Sequence, residues 1–187
     1  MARGLVIGGS GSLGSVIAEH LGRTGLDVVC TSRAGGDGVM AFDPLGAPET
    51  LDGVAAAGPF ASVVWAQGAN RNDSIADLGL QGYRDTMDAN VTFVVASLDG
   101  LLSRGAIGDG ARLVVLSSIW QTLARENKFS YTVSKAAIGG LVRAASVDLA
   151  PRGILINAVL PSVIDTPMTR AMLSPEQVDF VSSQTGF

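Results

Sequence analysis

The chain has 187 residues, a net charge of −4 and one cysteine, Cys30. That length fits one domain that can bury its own core without a metal or disulfide staple, and a content of 47% hydrophobic and 16% charged residues excludes disorder. The mild acidity argues against a nucleic-acid partner, which needs a basic face, and one cysteine supplies neither an intrachain disulfide nor a cysteine-based metal site. The stretch from Met1 to Ile7 is too short for a signal peptide. No run reaches the ~18 apolar residues of a membrane span, so a cytoplasmic protein is expected.

Short β-branched runs alternate with longer stretches of helical spacing. Leu5-Val6-Ile7 predicts a strand, followed by a helix with an apolar stripe of Leu13, Val16, Ile17 and Leu21 that ends near Gly22 and Gly25. Further strands are predicted at Val28-Val29-Cys30-Thr31, Val39-Met40-Ala41-Phe42, Ser62-Val63-Val64-Trp65, Leu113-Val114-Val115-Leu116 and Ile154 to Val159. Helical stretches fall at 82–103 and 131–150, with a weaker one at 47–57. Strands apolar on both faces belong to a parallel sheet covered on both sides, and this alternation predicts a three-layer, doubly wound α/β fold.

Directly after the first strand comes Gly8-Gly9-Ser10-Gly11-Ser12-Leu13-Gly14. Glycines permit the tight turn and let a pyrophosphate approach bare backbone, while the next helix offers its free N–H groups. A loop between a strand and an amphipathic helix is the context a dinucleotide fingerprint requires. At the end of the second strand, where an Asp or Glu would select NAD, stand Ser32 and Arg33, which favour NADP through hydrogen bonds to a 2′-phosphate. Asp37 lies beyond the strand end as a competing ribose ligand; Asp43 either reaches the adenine ring or caps the next segment. Tyr131 and Lys135 stand at i and i+4, on one helix face. A lysine beside a phenol favours the phenolate and is expected to lower its pKa, making Tyr131 a general acid or base. Ser118 lies just past the fifth strand, where a doubly wound sheet presents residues to its ligand.

These motifs together resemble the short-chain dehydrogenase/reductase family, whose fold is a Rossmann-type doubly wound sheet. Leu113 to Ser118 resembles the strand ending in the family's serine, and Tyr131 to Lys135 with Ala136-Ala137 resembles its active-site helix. Asp148 to Ile154 and Ile156 to Val159 resemble the segment C-terminal to that helix. Pro161 to Met168 is similar to the stretch covering the nicotinamide, and Asn90 within Asp88-Ala89-Asn90-Val91 to the fourth catalytic residue. The resemblance implies hydride transfer between NADP(H) and a carbonyl or secondary alcohol. Tyr131 would carry the proton, Ser118 bind the same oxygen, Lys135 hold the nicotinamide ribose and tune Tyr131, and Asn90 kink its helix and support a proton-relaying water. Gly8, Ser10, Gly11, Ser12, Leu13, Gly14, Ser32, Arg33, Asp43, Ala66, Gly68, Tyr131, Lys135, Pro161, Ile164 and Thr166 form the implied cofactor set. No metal is implied. Helices near 85–103 and 131–150 imply a homo-dimer or homo-tetramer.

The chain departs from the family at four places. Ile7 and Ser12 replace the common loop's Thr and Gly; Ala66-Gln67-Gly68 replaces Asn-Ala-Gly, with Gln67 or Asn70 as compensation; Pro161-Ser162 replaces Pro-Gly; and members run to roughly 250 residues. One dinucleotide-binding domain over 1–187 is expected, with the last strand and the C-terminal lid truncated. The glycine spacing leaves an epimerase or dehydratase acting on a nucleotide-linked sugar as an alternative, and the departures leave a non-catalytic dinucleotide-binding module. His20 reads as a surface residue, Cys30 as core, and Asp73 and Asp77 as solvated loop residues. Trp120 lines the pocket or packs, Arg125 to Lys128 contact a polar substrate or face water, and Met168 and Met172 begin the lid.

Overall fold

Five strands open with or contain runs of Val, Ile or Leu, and such runs pair best where both neighbours are strands. A computed structural model of the chain describes residues 1–174, 176–179 and 183. Its elements are β1 (Arg3–Ile7), α1 (Ser12–Arg23), β2 (Asp27–Ser32), β3 (Val39–Ala41), α2 (Thr50–Ala56), β4 (Phe60–Trp65), α3 (Leu80–Met87), α4 (Phe93–Ser103), β5 (Ile107–Leu116), α5 (Phe129–Leu149), β6 (Leu155–Val159) and α6 (Pro167–Met172). The strands form one parallel sheet in the order β3-β2-β1-β4-β5-β6. Connections run outward from β1 in one direction and from β4 in the other. The switch point therefore lies between β1 and β4, where ligands bind at carboxyl ends of strands. Register brings Ile7 beside Thr31 and Trp65, Trp65 beside Val115, and Leu116 beside Val159, so the residues just beyond them share one sheet edge.

Leu5, Val6, Ile7, Val63, Trp65, Leu113 and Val115 are buried with Phe42, Phe60, Phe93 and Leu101 in one core. Trp65 is fully buried, and its indole Nε1 donates to Ser97 Oγ at 2.7 Å, so the largest core side chain leaves no polar atom orphaned. The layer on one side runs from α2 through α4 to α5, each packed on the next or on the turn between α3 and α4, while α1 packs chiefly on β1 and β2.

The double coverage expected for every strand holds at the centre and fails at the edge. In β6, Ile156 is buried on the α5 side, whereas Leu155 and Val159 stay 52% and 48% exposed on the other. The stripe of α1 is likewise only partly covered, with Val16 at 63% exposure and Gly14 the buried position of that helix. β5 begins six residues before its predicted start, at Ile107 instead of Leu113, because Gly108 and Gly110 disguise its first half and a register shift against β4 absorbs them. The helical stretch predicted over 82–103 is continuous but changes winding: residues Asp88–Thr92 form a π-helical turn between α3 and α4. The expectation that the last strand and the C-terminal lid are truncated falls partly outside the described residues.

Candidate active site

The glycine loop is shaped by contact with the second strand. The N–H groups of Gly8 and Gly9 both donate to Thr31 O at 2.9 Å, and Gly8 takes φ +81°, which favours glycine. Gly14 is fixed by sterics, since a Cβ there would lie 2.0 Å from Gly8 O. α1 then begins at Gly11 with no side-chain cap and no acidic residue in its first turn, so its positive end is unopposed. One groove beside the loop is lined by Gly8, Thr31, Ser32, Arg33, Gln67 and Gly68, and another by Ser12, Leu13, Pro161, Ile164 and Thr166. Thr31 Oγ1 and Gln67 Oε1 are buried without a hydrogen-bond partner among the described residues. Bare backbone, a free helix N-terminus, an arginine and two orphaned acceptors fit a polyanionic, hydroxyl-rich dinucleotide.

Of the predicted cofactor residues, Ser10, Gly11, Gly14, Asp43 and Ala66 line neither groove. Asp43 takes its capping alternative: its Oδ1 accepts from Gly46 N at 3.1 Å, and its other oxygen lies 3.9 Å from Arg33 Nε. Arg33 is 74% exposed, so that pair is weak and the guanidinium remains free to turn. Ser32 Oγ accepts from Gly35 N at 3.0 Å, closing the turn after β2.

The catalytic candidates converge from three elements. Ser118 follows β5, Tyr131 and Lys135 lie on the first turns of α5, and Asn90 sits in the π-turn. Ser118 and Tyr131 line one pocket, with the Ser118 side chain facing the phenol closely enough to lower its pKa. Lys135 Nζ lies 5.5 Å from the Tyr131 ring centroid and donates to Leu116 O at 3.0 Å. Asn90 is buried; its Oδ1 accepts from Ala69 N at 2.7 Å, and its Nδ2 donates to Ala69 O and to Ser134 Oγ, both at 2.9 Å. Ser134 Oγ donates in turn to Tyr131 O at 2.8 Å. The π-turn thus anchors the loop after β4 and the start of α5 at once. Gly68 makes room for this, since a Cβ there would stand 3.1 Å from Asn90 Oδ1.

One electrostatic expectation is overturned. Burial pushes the Tyr131 phenol above its usual value near 10, and the Ser118 side chain only partly offsets this. Lys135 does not reverse it, because burial lowers its own ammonium from 10.5 to about 8 and its hydrogen bond goes to a carbonyl.

Sequence reasoning misread Asp73 and left Lys128 open between a polar substrate and water. Asp73, read as a solvated loop residue, is buried: one carboxylate oxygen accepts from Ser130 N at 2.9 Å and the other from Ser130 Oγ, while Arg71 Nε lies 3.6 Å away. It caps the first turn of α5 from a distant loop. Lys128 is buried as well, with Nζ donating to Asn70 Oδ1 at 2.8 Å and lying 5.9 Å from the Tyr131 centroid. Their only sequence signal was position beside known site residues; the pairing of Asp73 with Lys128 in a two-residue parallel bridge is purely tertiary. The bland readings hold for His20 and Asp77, both exposed, while Cys30 is half-buried against Gly9. Trp120 and Met168 line the pocket before Tyr131. No cluster of three metal-ligating residues and no helix long and apolar enough to cross a membrane occurs among the described residues.

Comparison with known proteins agrees with this architecture. Residues 51–185 match the family model described as enoyl-(acyl carrier protein) reductase. Gluconate 5-dehydrogenase of Gluconobacter oxydans is 27% identical across 98% of this chain and 80% of that protein. A 3-oxoacyl-[acyl-carrier-protein] reductase of Vibrio cholerae is 26% identical across 90% of the chain and 75% of its own length. A short-chain dehydrogenase of Burkholderia cenocepacia, solved in complex with NADP, superposes with a TM-score of 0.84 at 29% identity, over 98% of this chain and 82% of that one. By its parallel sheet, its glycine loop, its gathered Ser118, Tyr131, Lys135 and Asn90, and these matches, the chain belongs to the short-chain dehydrogenase/reductase family of oxidoreductases.

Proposed function

We propose that the protein transfers hydride between NADP(H) and a carbonyl or secondary alcohol, with Tyr131 as the general acid and base. The observation that carries this reading is Tyr131 and Ser118 lining one pocket, with the Lys135 ammonium 5.5 Å from the Tyr131 ring centroid. The bound nicotinamide supplies the hydride; the chain's own residues manage the oxygen. Ser118 and Tyr131 hold the carbonyl oxygen by hydrogen bonds. The raised phenol pKa keeps Tyr131 protonated at neutral pH, the form that gives a proton during reduction. Lys135 holds positive charge behind the ring, and Asn90 with Ser134 fixes the start of the helix that carries both.

The glycine loop, the α1 N-terminus, Ser32 and Arg33 would hold the dinucleotide, with Arg33 selecting the 2′-phosphate. Pro161, Ile164 and Thr166 would close over the nicotinamide end. The NADP in the Burkholderia cenocepacia relative supports this choice for a chain of the same fold. The same reading makes 1–187 one domain, in a cytoplasmic homo-dimer or homo-tetramer. The testing experiment is a parallel fluorescence titration of the chain and its Arg33→Asp variant with NADPH and NADH. NADPH should bind the wild type more tightly, and the variant should shift the preference at least about tenfold toward NADH, as one charge-assisted contact is worth. Equal affinities in the wild type would end the NADP assignment.

A further inference from the structure

The pocket in front of Tyr131 carries a charge that runs against the whole molecule. The chain has a net charge of −4. Yet the charged side chains lining this pocket among the described residues are Arg125 and Lys128, both basic. The opposite wall is apolar, with Trp120, Met168 and Met172.

Both cations lack a dedicated counter-ion. Lys128 is 4% exposed, and its ammonium has one hydrogen bond, to the neutral Asn70 Oδ1. Asp73 is near, but its two carboxylate oxygens are already committed to Ser130 N and Oγ. Arg125 is exposed and makes no ion pair or hydrogen bond among the described residues. Burial, and after it Arg125, disfavours the charged form of Lys128, while the nearby Asp73 carboxylate only partly offsets them. Buried charges are ordinarily paired, and an incoming anion would pair these two. Neither residue lines the grooves assigned to the cofactor, so the cofactor's phosphates are not that anion.

We propose that this pocket selects carbonyl compounds carrying an anionic group, carboxylate or phosphate, which Lys128 and Arg125 bind. This specificity rests on the hydride-transfer reading. The Lys128 ammonium stands 5.9 Å from the Tyr131 ring centroid, so the anion would lie a few bonds from the reacting carbonyl, with the rest of the substrate along the Trp120 and Met168 wall.

The test compares matched substrates with NADPH: acetoacetate against methyl acetoacetate, and dihydroxyacetone phosphate against dihydroxyacetone. The anionic member of at least one pair should show a kcat/KM about tenfold to a hundredfold higher, the worth of a hydrogen bond to a charged group. Arg125→Gln and Lys128→Gln should each shrink that ratio. Arg125 is exposed, so its variant folds even if that of Lys128 does not. Which pair responds identifies the anion. No preference in either pair, or a preference both variants leave intact, overturns the inference. Calorimetry of the same compounds with oxidised cofactor, where no reduction can follow, separates the two readings. Variant-sensitive anion binding without any turnover would sink hydride transfer and keep the anion site; absence of anion binding would sink the site.

Discussion

The glycine loop and the catalytic cluster stand at the same edge of one sheet and are held in place by opposite means. The loop is built from what is missing: Gly8 and Gly14 keep their shape because no side chain fits, and the N–H groups of Gly8, Gly9 and Gly11 bond to backbone carbonyls. The cluster is built from what is present, a chain of buried side chains running from Asn90 through Ser134 to the start of α5 and from Asp73 to Ser130. A site that must accept a large anion needs open backbone. A site that must hold a proton donor to a fraction of an ångström needs locked rotamers. This contrast accounts for where the sequence departs from the family pattern. Backbone contacts tolerate Ile7, Ser12 and Ala66, whereas the side-chain network keeps all four candidate residues, Asn90, Ser118, Tyr131 and Lys135.

Breaking the catalytic end at its reacting atom should have the largest effect. Tyr131→Phe removes the proton donor and should cut turnover by ~10²–10⁴-fold, with NADPH binding measured by fluorescence left close to wild type. Retained turnover would move the proton to another group. Breaking the loop end should show the reverse pattern. Gly14→Ala forces a Cβ to within 2.0 Å of Gly8 O, at a cost of about 1–3 kcal/mol, and cofactor affinity should fall about tenfold or more while the arrangement of Ser118 and Tyr131 is unchanged.

The remaining two predictions sharpen the comparison within the catalytic end. Asp73→Ala leaves the Ser130 N–H and hydroxyl without their buried acceptor. It should lower stability to urea by about 1–3 kcal/mol and reduce kcat more than it raises KM, because Asp73 places Tyr131 without touching substrate. An unchanged kcat would reduce Asp73 to a fold residue. The smallest effect concerns pH. Lys135 is charged below about 8 in the folded chain and near 10.5 when unfolded, so between these values the unfolded chain binds more protons and stability rises with pH. Relative to Lys135→Met, the wild type should gain about 1 kcal/mol between pH 7 and 9. A parallel course for both proteins would mean the ammonium is not strained by burial. Tyr131 works in the other direction, in the window between the ordinary phenol value near 10 and its raised one.

The doubly wound sheet was legible because strand runs and helix spacing are local properties, and the resemblance picked out the candidate set of Asn90, Ser118, Tyr131 and Lys135 because its motifs sit beside strand and helix ends. Asp73 and Lys128 were not, because their burial comes from two loops pairing 55 positions apart in the chain. Tyr131 and Lys135 were placed correctly while their mutual influence was misjudged, since i and i+4 spacing fixes proximity but not the water removed from around both groups. The partial exposure of Val16 and Val159 was equally hidden, because an apolar pattern records what an element can bury and not what lies over it.

The two tryptophans divide along the same line as the two tasks of the molecule. Trp65 is sealed in the core and bonded to Ser97, whereas Trp120 borders the pocket of Tyr131. Intrinsic emission from one chain therefore contains two separable signals: a blue, quencher-resistant component that changes when the fold is lost, and a component that responds when the pocket fills. With Trp120→Phe as the reference, ligand response and unfolding can be followed in a single spectrum without an added label.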